Sequence, residues 1–259
     1  MQTPLIPKRS PLKAWVWGVA MALVLSACGG GGGGNSTASG GSGGGGSSAP
    51  VTLSGVAATG APLIGATVTV LDATGASCGT TSTALADGTY TLALSCSSPT
   101  LPLFVEVVGL DMAGTPVVLH SVLQTVTSGA GTRTVANINP LTNAVVALLM
   151  GGDPTPFFQS GKAAVSGSVA VRAARWSLLG SSAARTVASD FIKTVIRPNL
   201  NDARLTNAAL VDFFGDPTFS PDKTGLDAVL ESLRIQFSRN NIGDELLQLS
   251  NRLLQPCNP

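Results

Sequence analysis

Short apolar stretches separated by turn residues run through the middle of the chain. They are rich in Val, Thr and Leu, and Gly, Pro or Asp residues stand between them. In one stretch Val68 and Val70 alternate with Thr67, Thr69 and Leu71, which is the period of two expected of a β-strand. Segments of this length and spacing predict an antiparallel sandwich of about seven strands. The segments are residues 51–59, 66–72, 78–85, 89–95, 103–111, 116–124 and 133–139.

The hydrophobic period changes near Asn137, where helical spacing begins. Leu141, Val145, Leu148 and Leu149 recur at intervals of three or four residues, which predicts an amphipathic helix that starts just before them. Similar patterns continue toward the C-terminus. The further predicted helices are residues 158–177, 182–197, 203–214, 222–236 and 243–254.

Residues with special backbone preferences mark the ends of these helices. Gly151 to Pro154 and Arg197 to Asn199 are predicted breaks, because Gly and Pro do not continue a helix. Asp222 is a predicted N-cap for the helix that follows it. For the final segment, a hairpin turning at Asn240-Asn241 is the alternative to a helix.

The order of the elements predicts an α+β fold, with an N-terminal antiparallel β-sandwich over residues 51–138 and an α-helical region over residues 139–259. The helices either pack on one another as a separate domain or pack on the sandwich as one unit. We expect the second arrangement, because no flexible linker separates the two regions at Asn137 to Pro140.

The N-terminal stretch has a charge and hydropathy pattern of its own. Lys8, Arg9 and Lys13 precede Ala14 to Leu25, an uncharged apolar run of twelve residues. A membrane-spanning helix needs about 20 such residues, so the run is short for one. Basic residues, a short apolar run and small residues after it predict a signal peptide over residues 1–27.

The four residues Leu25-Ser26-Ala27-Cys28 resemble the lipobox of bacterial lipoproteins. The resemblance implies that the leader is cut before Cys28, that the thiol receives a diacylglycerol and that the new amino group is acylated. Several acyl chains on one cysteine anchor a protein stably. In enteric bacteria an Asp directly after the lipidated cysteine is linked with retention in the inner membrane. Gly29 stands at that place here, so the resemblance favours the outer membrane and leaves its face open. The alternatives are an ordinary secretory signal with a chance cysteine and an uncleaved anchor.

Residues 28–50 are predicted to be the lipidated cysteine and a Gly/Ser tether. After Cys28 this stretch contains no large apolar residue, so burial cannot offset the entropy cost of ordering it. A coil of this length has a mean reach on the order of 25 Å, which would hold the folded part away from the lipid headgroups.

Composition narrows the class of partner. Without the three basic residues of the leader, the chain keeps 12 basic and 14 acidic residues, a formal charge of −2. This balance argues against a nucleic-acid binder, which would carry a basic patch. The predicted partners are the membrane, through the lipid on Cys28, and an envelope protein or surface ligand.

Two parts of the chain resemble known protein families. The pattern Gly55-Val56, Gly60 to Val70 and Asp87 to Leu92 is similar to the carboxypeptidase regulatory-like, or transthyretin-like, β-sandwich, over about residues 51–97. That module is a spacer or binding module and not a peptidase. Asn139 to Thr142 and Phe219 to Leu230 resemble a helical region of uncharacterised proteobacterial lipoproteins, a likeness of layout and not of activity.

Three cysteines remain besides Cys28. If Asp87-Gly88 closes a hairpin in which Leu85 faces Thr89, register counting places Cys78 opposite Cys96, so we predict a disulfide between them. Two unrelated buried thiols are the alternative. Cys257 is left over, unpaired or linked to another molecule.

The sequence predicts no catalytic, cofactor-binding or metal-binding residue. His120 is the only histidine, and it lies in a predicted strand, where we expect it to point to solvent or to bond to backbone. Asp212, Asp216, Asp222 and Asp227 could surround a Ca²⁺, but their spacing does not match an EF-hand. Helix caps and turns are the preferred explanation for them.

These observations predict a lipid-anchored cell-envelope protein that is a non-enzymatic structural or binding module. Two alternatives stay open. One is a hydrolase-like enzyme with its carboxylates in the helical region, and the other is an accessory subunit of an envelope complex.

Overall fold

Two β-sheets precede a set of helices in the computed structural model, which describes residues 51–129, 131–162 and 176–239. The sheets have the strand orders β4-β1-β7 and β3-β2-β5-β6. Pairing is antiparallel except that β7 runs parallel to β1, and the predicted α+β fold is confirmed. The strands are β1 (Thr52–Val56), β2 (Thr67–Leu71), β3 (Ser77–Ser82), β4 (Thr89–Ala93), β5 (Leu103–Leu110), β6 (Pro116–Leu123) and β7 (Thr134–Val135).

Side chains that point between the two sheets form the first of two hydrophobic clusters. Leu53 and Tyr90 of the three-stranded sheet belong to it together with Val68 and Val105 of the four-stranded sheet. Tyr90 is buried, which raises its pKa, and its hydroxyl donates a hydrogen bond to the carbonyl oxygen of Ala136. The one large aromatic side chain of this cluster therefore has its polar end satisfied.

Cys78 and Cys96 form the predicted disulfide, with their Cα atoms 4.9 Å apart. The hairpin from which the pair was predicted is wrong, because β3 and β4 belong to different sheets. The backbone nitrogen of Ala84 donates to the carbonyl oxygen of Thr89, and Leu85 does not face Thr89. β4 pairs with β1 instead, so the chain crosses between sheets here and the disulfide joins the two sheets at one edge.

Helices make up most of the remaining described chain. The residues 176–180 are helical. Asn139 caps the first helix and Gly151, with a φ of 69°, ends it, which confirms the break predicted at this point. The helices are α1 (Pro140–Met150), α2 (Pro154–Lys162), α3 (Ser182–Val195), α4 (Arg197–Asp202) and α5 (Gly225–Arg239).

Several predicted helix boundaries are wrong. Residues 203–214 contain only a 3₁₀ turn at Ala208–Leu210, because the chain leaves the helical conformation at Arg204, whose φ is 62°. The break predicted at Arg197 to Asn199 lies at Ile196, between α3 and α4.

The caps of the neighbouring helices also differ from prediction. α5 starts at Gly225, and Asp222 accepts the backbone N–H of Thr224 at 2.9 Å in a turn before the helix, so it is not the N-cap. The predicted helix 158–177 overlaps α2, which starts four residues earlier. The predicted segment 243–254, with its alternative hairpin, lies outside the described residues.

The helices cover the outer face of the four-stranded sheet. Leu71, Phe104 and Val122 point outward from that sheet and share a hydrophobic cluster with helical residues such as Leu141 and Val145. As a result β5 is buried on both faces from its first residue to Val107, and the alternation expected of a half-exposed strand is lost there. This second cluster joins the sandwich and the helices, as we expected.

Two asparagines at the junction between strand and helix fix a distant loop. Asn137 donates through Nδ2 to the carbonyl oxygen of Asp216 at 2.7 Å, and Asn139 donates to the carbonyl oxygen of Phe213 at 3.1 Å. The backbone nitrogen of Asn137 also donates to the carbonyl oxygen of Phe214 at 2.8 Å. The loop before α5 is therefore held against the sandwich by hydrogen bonds as well as by packing.

Candidate functional site

A buried pair of a carboxyl group and an imidazole lies on the helix-covered face of the four-stranded sheet. Glu106 of β5 and His120 of β6 are register partners, so their side chains leave the sheet side by side. Oε2 of Glu106 lies 3.3 Å from Nε2 of His120, and the two side chains are only 2% and 1% exposed. The prediction for His120 is wrong: the side chain neither points to solvent nor bonds to backbone, because helices cover this face of the sheet.

The start of α1 holds the other side of the imidazole. Asn139 caps the helix by accepting hydrogen bonds from the backbone N–H groups of Leu141 and Thr142. Asn143, the residue after Thr142, then lies against β6. Oδ1 of Asn143 lies 3.0 Å from both the backbone nitrogen and Nδ1 of His120. The hydroxyl of Thr142 donates to the carbonyl oxygen of His120 at 2.9 Å. The first residues of α1 therefore also hold the backbone of β6 in place.

One hydrogen position of the imidazole follows from these contacts. The amide oxygen of Asn143 only accepts, so Nδ1 of His120 carries a hydrogen. Nε2 faces Oε2 of Glu106 at 3.3 Å. Both ring nitrogens therefore have a polar partner, which lowers the cost of burying the imidazole.

α2 completes the surroundings of the pair. Gln159 donates through Nε2 to Oε1 and Oε2 of Glu106, at 3.2 and 3.1 Å. The rings of Phe104 and Phe158 have their centroids 5.3 and 5.7 Å from that of His120. The network of Glu106, His120, Asn143 and Gln159 thus ties β5, β6, α1 and α2 together, and its apolar surroundings strengthen its hydrogen bonds.

The acidic residues considered as calcium ligands serve as turn residues. Asp212, Asp216 and Asp222 each accept the backbone N–H of the residue two positions on, at 2.8 to 2.9 Å. Within residues 51–129, 131–162 and 176–239, no group of three or more His, Cys, Asp or Glu side chains is arranged to hold a metal ion.

Asp227 differs from these three because it is buried. It is 1% exposed, its Oδ2 accepts the backbone N–H of Lys223 at 2.8 Å, and its Oδ1 has no hydrogen-bond partner among the described residues. Burial raises the pKa of the Asp227 carboxyl, and the nearby charges of Asp222 and Glu231 raise it further, against the opposing effect of the Lys223 bond.

α3 borders two grooves on opposite sides. The apolar groove, about 590 Å³, lies between α1 and α3, and its walls include Leu148, Leu178, Val187 and Phe191. Val187 is 71% exposed and Phe191 44%. These side chains present an open apolar surface. The helical spacing of Phe191 predicts a packed face, and this prediction is wrong here, because spacing alone does not separate a covered face from an open one.

The charged groove lies on the other side of α3 and has a volume of about 390 Å³. Residues 209–214 form its second wall, and this is the loop that Asn137 and Asn139 hold. Arg185 and Lys193 contribute positive charge from α3, with Ser189 between them. Such a groove falls within the range of sizes of small-molecule sites.

The predicted lipid attachment at Cys28, the predicted tether and the remaining cysteine, Cys257, lie outside the described residues. None of the helices in the described part is long and apolar enough to cross a bilayer. Comparison with protein-family models, with curated proteins and with solved structures found no match to this chain.

Proposed function

We propose that the protein is a lipid-anchored protein of the bacterial cell envelope, most simply of the outer membrane, whose folded part binds a ligand and catalyses no reaction. The sequence from Lys8 to Cys28 supports the location, since a basic start, a short apolar run and a lipobox-like end occur in the right order. Under this proposal residues 1–27 are removed and Cys28 carries the lipid.

The enclosed position of His120 is the observation that favours binding over catalysis. A histidine that acts as general base must lie within hydrogen-bond reach of a substrate or nucleophile. Here one ring nitrogen faces Asn143, the other faces Glu106, and only 1% of the residue is exposed. Both ring nitrogens are engaged within the fold, so His120 serves to stabilise the structure, and the chain contains no second histidine.

The shared core supports a fixed surface rather than a hinged pair of domains. The sandwich supplies one wall of the second hydrophobic cluster, and α3 packs on α1 through the same cluster. A surface on α3 is therefore held rigidly relative to the sandwich. On a tether such a unit can present a preformed binding site, which costs less ordering entropy on association.

Metabolic labelling with a palmitate analogue tests the anchoring. The full chain, expressed in a bacterial host, should be labelled and should sediment with the outer membrane. Cys28→Ala should remove the label, while Cys257→Ala, the matched control, should keep it. Label retained by Cys28→Ala, or a mature wild-type chain that begins at another residue, would overturn the proposal.

A further inference from the structure

We propose that the charged groove between α3 and residues 209–214 binds a small organic molecule through its carboxylate, and that Arg185 is the residue that holds the carboxylate. This inference rests on the proposed function, because it names the ligand class for the folded part. The groove volume, about 390 Å³, suits a small ligand and not a folded partner.

Two aromatic rings in the second wall of the groove lie close to its cations. The guanidinium carbon of Arg185 lies 5.3 Å from the ring centroid of Phe214, and Nζ of Lys193 lies 5.7 Å from that of Phe213. Both rings are buried, at 4% and 1% exposure, so they form a fixed platform. A cation held over a ring loses less conformational freedom when it binds an anion.

The two cations differ in how far their charge is already compensated. Lys193 lies 3.7 Å from the carboxylate of Asp190. Arg185 has no ion pair within the described part of the chain. The nearby Asp212 accepts the backbone N–H of Phe214 at 2.9 Å, so one of its oxygens is engaged in a turn. The guanidinium of Arg185 is therefore the cation of the groove best able to accept a ligand.

The chemistry of Arg185 and the charge of the groove select the ligand. A guanidinium edge matches the two oxygens of a carboxylate with two parallel hydrogen bonds. Asp190 and Asp212 balance the two cations, so the groove is formally neutral. A doubly charged phosphate would meet more repulsion there than a singly charged carboxylate. Ala209 and Val211 on the second wall suit a short apolar body attached to the carboxylate.

The test is a titration of residues 28–259, made without lipid as the Cys28→Ser variant, with benzoate, hexanoate and inorganic phosphate as probes. NMR of the backbone amides reports where each probe binds. We expect the two carboxylates to shift the amides of Thr186, Ser189 and Val211 in a saturable way, and phosphate to bind more weakly than either.

Arg185→Gln should weaken carboxylate binding at least about tenfold, because the charge-assisted hydrogen bonds of the guanidinium are lost. Arg185→Lys, which keeps the charge and guards against a folding defect, should also weaken it because the two-pronged geometry is lost. Arg234→Gln is the matched control, since Arg234 pairs with Glu231 on α5, outside the groove, and this variant should bind normally.

Three results would overturn the inference: no groove shifts with either carboxylate, unchanged affinity in Arg185→Gln, or tighter binding of phosphate. The palmitate experiment does not involve Arg185. A labelled Cys28 with no carboxylate binding overturns this inference alone, while carboxylate binding with an unlabelled Cys28 supports the inference and overturns the anchoring.

Discussion

Oδ1 of Asn143 accepts hydrogen bonds from both the backbone nitrogen and Nδ1 of His120, each at 3.0 Å. One side-chain atom of α1 therefore fixes both the position of β6 and the orientation of the imidazole. Glu106 then meets the other ring nitrogen on the same covered face of the sheet. A single helical residue thus links the helices to the buried pair of Glu106 and His120 in the sandwich.

Replacement of Asn143 by Ala should destabilise the protein strongly. The change removes both hydrogen bonds to His120 and leaves two buried donors without a partner, each of which costs about 1–3 kcal/mol. We expect a loss of about 2–5 kcal/mol in the free energy of unfolding, measured by urea denaturation. Asn207→Ala, in an exposed loop, is the control and should change stability little. Equal effects of the two substitutions would show that the network adds nothing.

Removal of the disulfide should also lower stability. The bridge spans 18 residues of sequence, and in the chain-entropy account closing a loop of that size contributes about 3 kcal/mol. Cys78→Ser combined with Cys96→Ser should cost about that much in urea denaturation. Peptide mapping of the native protein without reductant should recover the two cysteines joined. Two thiols that react with an alkylating agent before unfolding would contradict the structure at this edge of the sheets.

Prediction of the fold from sequence succeeded for the strands and for the disulfide, and failed where tertiary partners decide. Strand segments show a local hydrophobic pattern with a period of two, so their positions can be predicted from the sequence. Whether β4 pairs with β3 or with β1 depends on long-range contacts. In the structure β4 pairs with β1, with Val56 opposite Thr89. Cys78 at the start of β3 and Cys96 just after the end of β4 still meet, because β3 and β4 are edge strands of the two facing sheets.

The candidate site was readable only in part. Glu106 stands alone as a charge within an apolar strand, which could have marked it as a buried, paired group. Its pairing with His120 required the register of β5 and β6, and its burial required knowing that α1 and α2 cover that face. Arg185 and Lys193 look like ordinary surface residues in the sequence, because the groove exists only once the loop 209–214 packs beside α3.

Asp72 should support stability at neutral pH and lose its contribution in acid. Burial raises the pKa of its carboxyl, but hydrogen bonds from Thr74, Thr100 and Ala76 outweigh that effect, so the pKa lies below the usual 3.8. The ionised form is thus favoured in the folded state, and its contribution is present above pH 3.8 and is lost as the pH falls through the folded-state pKa.

Asp72→Asn checks this sign. The variant should be less stable than wild type by about 1–2 kcal/mol at pH 7. This difference in stability should narrow as the pH is lowered below the pKa of the free carboxyl. Asp87→Asn is the comparison: Asp87 makes a similar turn with Thr89 and its pKa is also lowered, but it is exposed to solvent, so its gap should have the same sign and be smaller. A gap that stays constant with pH would mean that Asp72 acts through shape alone.

Asp227 should behave in the opposite way. Its pKa is raised, chiefly by burial, so the folded state favours the protonated form and the stability of the protein falls as the pH rises from 3.8 through the folded-state pKa. Asp227→Asn removes this titration. The stability of the variant relative to wild type should therefore be greater at pH 7 than at pH 3, as measured by urea denaturation at both values.

A matched control comes from the neighbouring turn. Asp222 is exposed and its pKa is lowered by hydrogen bonds from Thr224, so Asp222→Asn should show the reverse dependence: relative to wild type it should be more stable at pH 3 than at pH 7. If Asp227→Asn and Asp222→Asn change in the same direction with pH, burial does not control the charge of Asp227.

The sandwich alone, residues 51–138, should not be a stable monomer. Its four-stranded sheet would expose Leu71, Phe104 and Val122, which α1 and α2 cover in the whole protein. The fragment would also leave Glu106 and His120 without Gln159 and Asn143. An exposed apolar face of this kind promotes association.

The measurement is size-exclusion chromatography with binding of a hydrophobic dye, and the control is the chain of residues 28–259 under the same conditions. We expect the fragment to aggregate or to bind the dye, and the whole chain to do neither. Phe104→Ser with Val122→Ser in the fragment should reduce both effects, because the exposed face becomes polar. A fragment that is monomeric, binds no dye and unfolds cooperatively would show that the sandwich is an independent domain. The helices would then be a separate layer, and the surface of α3 would not be fixed relative to the sandwich.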